Sequence, residues 1–146
     1  MSGNISVYSF DKVVCLLAGI PIVDYFEGDD VIKVTRGDDA TRAIIGADGN
    51  AIINVSTDLS AVIELKLKPS SISNTVLQAL ELNFRKGLRV SPVPFILTDY
   101  QTAEVYTSST AVIMSRPKDI AFGKIATART WQIFCGCLEE GTIGQI

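Results

Sequence analysis

The sequence contains no histidine. Its absence excludes histidine-dependent catalytic triads, histidine-ligated metals and imidazole acid–base chemistry. An excess of positive charge is lacking too. Thirteen Lys and Arg stand against 16 Asp and Glu, a net charge of −3, with a pI near 4.9. That balance argues against a protein that grips nucleic-acid phosphates, though not against one that nucleic acid passes without being held. Cysteines number only three, an odd count in no disulfide framework. Cys135-Gly-Cys137 is C-x-C, so it is neither a thioredoxin motif nor half of a zinc knuckle. Two apart in a strand, those thiols stand about 6.5–7 Å from each other, too far to bridge. A bridge from Cys15 to either one across neighbouring strands stays open, and three buried reduced thiols is the expectation. Long hydrophobic runs are missing. The longest candidate, 13–23, is broken by Gly19-Ile20-Pro21 and is too short to span a membrane. The first ten residues hold no basic residue, so no secretory signal is read there.

What is present is apolar. Hydrophobic residues make up 47% of the 146 residues and charged ones 20%, with a mean hydropathy of +0.31. The length suits one core and a single domain over 1–146. So much apolar surface is hard to hide in one small subunit, and the expectation is that other copies of the chain bury part of it.

The patterning is mostly that of strands. Segments 13–18 and 20–23 form two apolar arms of a hairpin around Gly19, and 31–36 alternates between two Gly-Asp-Asp turns. The clearest strand is 60–68, with Ile63, Leu65 and Leu67 on one face and Glu64, Lys66 and Lys68 on the other. One helix is expected at 73–86, with Ser73 as N-cap and Ile72 and Leu77 as a hydrophobic staple. Ile72, Val76, Leu80 and Phe84 form its apolar stripe, widened by Leu77, and Gln78, Glu81 and Arg85 its outer face. Strands return at 93–98, 103–114 and 127–138, the last with Trp131, Ile133, Cys135 and Cys137 on one face. Arg116-Pro117-Lys118-Asp119 reads as a turn, and the tail after Cys137 as a flexible end or a short strap between subunits. The expected class is mainly β, of α+β type. It is a two-sheet antiparallel sandwich or barrel with one external helix.

The stretch RAIIGADGNAIINV, 42–55, stands apart. Ala-Asp-Gly-Asn is turn chemistry, yet Ile44, Ile45, Ile52 and Ile53 come in adjacent pairs. A solvated hairpin carries apolar residues on one face only. The expectation is an arm with one face on its own subunit and the other on a neighbour.

A search for chemistry returns little. The pairs Asp29-Asp30 and Asp38-Asp39 are separated by a strand, so they lack the spacing of a calcium loop and read as solvated turns. No serine sits in G-x-S-x-G, and Gly123-Lys124 lacks the rest of a phosphate loop. No metal, cofactor or catalytic residue is expected, and the chain is not expected to be an enzyme.

Taken in order, YSFDKVVCLLAGIPIVDYFEGDDVIKVTRGDDA, IGADGNAIINVSTDLSAVIELKLKPSSISNTVLQAL and the closing ARTWQIFC resemble the tail tube proteins of contractile-tailed bacteriophages. The resemblance covers nearly the whole chain, and its cysteines are no part of the pattern. The tube proteins of type VI secretion systems and R-type pyocins are similar in fold. The resemblance implies rings, usually hexameric, whose sheets join edge to edge and which stack into the inner tube of a sheathed virion tail. Such a tube is built in the host cytoplasm and carries DNA on ejection without binding it. Its partners are further copies of itself, the tail sheath protein, and the baseplate and tail-terminator proteins, with no membrane. On that reading Ile44, Ile45, Asp48, Gly49, Asn50, Ile52 and Ile53, with Glu27, Asp29 and Asp30, are inter-subunit contacts. Gln78, Glu81 and Arg85 face the sheath, and Glu64, Lys66 and Lys68 are candidates for the lumen. Two alternatives stay open: a ligand-binding β-barrel with Trp131 in its pocket, and a hydrolase using Asp29, Asp30, Asp38 or Asp39.

Overall fold

The structure, a computed structural model, describes residues 10–28, 31–37, 41–55, 58–86 and 92–143. The strands are β1 (Val13–Leu17), β2 (Ile20–Pro21), β3 (Ile32–Arg36), β4 (Thr41–Ile45), β5 (Ala51–Val55) and β6 (Ala61–Leu67), then β7 (Val93–Asp99), β8 (Glu104–Ser115), β9 (Arg129–Cys135) and β10 (Glu139–Thr142). The helix α1 (Ile72–Lys86) lies between β6 and β7. The expected mainly-β class with one helix is the one the chain adopts.

The two layers expected as separate sheets are joined. One antiparallel path runs β2-β1-β7-β8-β9-β6-β3, with β10 also on β8, while β4 and β5 pair apart from it. The reason is the length of β8. Its first half pairs with β7 on one side and β10 on the other, and its second half pairs with β9. Ala111 opposes Cys135 and Thr107 opposes Glu139, so β9 and β10 continue one register. The path is not closed, but residues 22–26 lace its two ends. Ile22 N donates to Cys15 O at 2.9 Å, and Phe26 N donates to Lys66 O at 2.9 Å.

Alternation fills a single core. Ala61, Ile63, Leu65 and Leu67 of β6 point inward with Trp131, Ile133 and Cys135 of β9, Cys15 and Leu17 of β1, and Phe95 and Leu97 of β7. Ala18 and Gly19 turn β1 into β2 with φ of 54° and 78°, the pairing a tight two-residue hairpin needs.

Five expectations are corrected. The helix cap is Ser71, not Ser73: its hydroxyl accepts from Ser73 N at 3.2 Å and donates to Val23 O at 2.6 Å. Ser73 instead accepts from Val23 N at 2.9 Å. Docked this way, the helix turns Ser73, Leu77 and Glu81 inward and leaves Ile72 69% exposed, so Ile72 is no staple and Glu81 is not on the outer face. The tail after Cys137 is no free strap over residues 139–142, which form β10 within the subunit's own sheet. Cys137 leaves the inward row because the chain bends after β9, and Leu138 is buried there instead.

Candidate assembly interfaces

The arm is the clearest site. β4 and β5 hydrogen-bond as a two-stranded unit, with Ile44 opposite Ile52 and Ile45 opposite Ala51. The turn is built by Asp48, whose carboxylate accepts from Asn50 N at 3.1 Å and Asn50 Nδ2 at 2.9 Å. These bonds, the backbone one first, hold the Asp48 carboxyl below its usual range. Gly49 takes φ of 83°, where a side chain is strained. Ile45, Ile52 and Ile53 are 74%, 62% and 67% exposed. Ile52 and Ile53 are consecutive in a strand and point to opposite faces. Both faces are therefore uncovered, and the expectation that one face rests on its own subunit is corrected. β4 and β5 pair with each other apart from the main sheet, and their described isoleucines stay exposed.

The other sequence candidates scatter. Glu27 is exposed in a bend, whereas Asp29, Asp30, Asp38 and Asp39 lie outside the described residues. On α1, Gln78 is exposed and Glu81 is only 9% exposed. Arg85 belongs to the helix, but its side chain lies outside the described residues. Glu64 and Lys66 share the non-core face of β6 and form an ion pair at 4.0 Å, while Lys68 is exposed just past the strand. At the open end of the sheet, Arg36 ties β3 to its neighbours. It donates to Leu138 O at 2.7 Å and Leu59 O at 3.2 Å and pairs with Glu140.

The interior enclosed by the sheet is packed rather than hollow. Leu17, Ile63, Leu65, Phe95 and Ile133 are all fully buried, and the Trp131 indole N–H donates to Asn74 Oδ1 at 2.9 Å. Among the described residues Trp131 lines no cavity within this core; the hollow it borders lies at the surface, beside α1. The three cysteines are free. Burial pushes the Cys15 thiol from 9.0 up to about 12. Among the described residues no cluster of Cys, Asp and Glu could hold a metal.

One feature escaped the sequence reading. Beyond the Arg116–Asp119 turn, the 116–128 loop carries Phe122 and Ile125 at 89% and 83% exposure, with Ile120 also exposed. The loop is braced: Thr127 Oγ1 donates to Ala121 O at 3.1 Å, Arg129 donates to Thr127 Oγ1 at 3.3 Å, and the Arg129 guanidinium lies 5.4 Å from the centre of the Phe122 ring. A hollow of about 760 Å³ separates it from α1, lined by Gln78, Glu81, Met114, Arg116, Lys118 and Trp131 among others. No period marks these apolar residues, but their presence in a stretch with neither strand nor helix pattern was a usable signal.

No family model and no curated protein sequence matches the chain. Solved structures do. The chain is similar to the tube-terminating cap of the anti-feeding prophage, at 14% identity over 96% of each chain with a TM-score of 0.56. It is similar to a chain of the PVC extracellular contractile injection system's extended sheath–tube complex, at 11% identity over 92% of this chain and 91% of that one, with a TM-score of 0.58. The PVC sheath/tube terminator matches at 12% identity over 97% and 99%, with a TM-score of 0.54. Along nearly its whole length the chain has the fold of subunits from the tube caps, sheath–tube complexes and terminators of contractile injection systems.

Proposed function

We propose that the chain is a structural subunit that assembles with copies of itself into stacked rings, the inner tube of a sheathed phage-type tail. The observation that carries this is the arm, apolar on both faces and covered on neither. Burying an isoleucine is worth about 1.5–3 kcal/mol, so an arm left in water is a standing drive to associate. The fold supports the same reading, since it recurs in tube-cap and sheath/tube-terminator chains. The strand path ends at β3, and an open edge is stabilised by pairing with another copy. A closed rotation, hexameric by the resemblance, then ends lateral growth.

Within this reading Ile44, Ile45, Asp48, Gly49, Asn50, Ile52, Ile53 and the 27–30 turn contact neighbouring subunits. Gln78 and Arg85 face the sheath, and Glu64, Lys66 and Lys68 are the lumen candidates. The tube is assembled in the host cytoplasm and joined to baseplate and terminator proteins in the virion. The net charge of −3 suits a wall along which DNA slides unheld.

Negative-stain microscopy of the purified protein tests the proposal. Wild type is expected to give rings or tubes, and the double variant Ile45→Asp, Ile52→Asp folded subunits that do not polymerise. A wild-type protein that stays monomeric at high concentration, or double-variant protein that builds normal tubes, overturns it.

A further inference from the structure

We infer that the 116–128 loop is the surface that receives the β4–β5 arm of a second copy of this chain. The inference rests on the self-assembly proposed above and names the second half of its contact. Three observations support it.

The first is placement. The arm leaves the sheet between Arg36 and Ala61, at the start of β6, and the loop enters β9 at Arg129, which pairs with Leu67 at the end of β6. Seven residues of strand separate these points by about 20 Å. The arm is thus rooted at one end of β6 and the loop at the other, and a contact between the arm of one copy and the loop of the next joins copies head to tail. Such a contact leaves a free arm at one end and a free loop at the other, so it propagates along an axis.

The second is apolar complementarity. Each surface alone is an unmet apolar patch: Ile45, Ile52 and Ile53 on the arm, and Ile120, Phe122 and Ile125 on the loop. The loop is flanked by hollows of about 760 Å³ and about 410 Å³, room for inserted side chains. The third is charge. Residues 116–129 hold Arg116, Lys118, Lys124 and Arg129 against Asp119. The sequence of the arm and its flanks, 38–58, holds Asp38, Asp39, Asp48 and Asp58 against Arg42. Over these stretches of sequence the two segments carry opposite net charge, which favours their association.

The test places a photoreactive p-benzoylphenylalanine at position 122 of the full chain and irradiates the assembled protein. Mass spectrometry is expected to find the cross-link in residues 41–55 of another copy. A cross-link to a different segment of the chain or to sheath protein, or none at all, overturns the pairing while assembly itself stands. Wild-type protein that forms neither rings nor tubes overturns the assembly proposal, and this inference with it. A second variant, Phe122→Asp with Ile125→Asp, is expected to lower pelletable assembly at least tenfold with unchanged subunit melting. Normal yields of tube from that variant overturn the pairing as well.

Discussion

Ile63 and Ile45 are the same side chain in opposite settings. Ile63 is fully buried between β3 and β9, while Ile45 is mostly in solvent. Truncating Ile63 to Ala removes packed core and is expected to cost about 2–5 kcal/mol of subunit stability. Ile45→Ala is expected to stay within about 0.5 kcal/mol. Denaturant unfolding of dispersed subunits measures both, and equal costs overturn the distinction between core and arm. Cys15 gives a second test at this scale. Its folded thiol titrates near 12 against 9.0 ordinarily. The folded state therefore keeps a proton that the unfolded chain loses. Stability from this group is complete below pH 9 and falls as pH rises toward 12, by up to about 1.4 kcal/mol per pH unit. The Tyr25 phenol, raised mainly by its own burial, adds to the same alkaline loss. Melting temperatures across pH 8–11 are expected to fall more steeply for wild type than for Cys15→Val. Parallel slopes overturn the assignment.

Among the elements, α1 shows where sequence reasoning stops. Strands β1, β6 and β9 were legible because buried residues recur at period two, and the arm because its isoleucines break that period. The helix was legible as a helix, but its rotation was not. Leu77 and Leu80 fit either of two stripes, and the choice is made by Ser71 and Ser73 bonding to Val23, nearly 50 residues away in sequence. β10 carries Glu139-Glu140-Gly141-Thr142, which has no apolar alternation and is held by backbone pairing to β8. The joining of two layers into one path depends on β8 pairing along both sides, which no local pattern encodes. The helix start is testable. Ser71→Ala removes a cap and a tie to Val23 and is expected to cost about 1–2 kcal/mol. Ile72→Asp, at an exposed position, is expected to cost under about 0.5 kcal/mol. If Ile72 proves the more costly of the two in thermal or denaturant melts, the helix sits in the orientation that the staple requires.

At the scale of the whole molecule, the core is complete while the surface is not. Side chains fill the space between β1, β6, β7 and β9, so the subunit folds around its own interior. Among the described residues, exposed apolar side chains gather on the arm and in the 116–128 loop, besides scattered ones such as Ile72 and Tyr100. On the proposed self-assembly, this division separates folding from association, and stability is then expected to depend on protein concentration. A contact made only by folded subunits stabilises them by mass action, so the melting temperature rises with concentration. The expected result is a melting temperature that climbs between micromolar and hundred-micromolar wild-type protein. The Ile45→Asp, Ile52→Asp variant is expected to melt at one temperature throughout, close to that of dilute wild type. Scanning calorimetry over that range measures both. A variant that matches the wild-type rise places the stabilising contact elsewhere on the surface. A wild-type protein with no rise has no folded-state association to explain, and its exposed isoleucines then carry no assembly role.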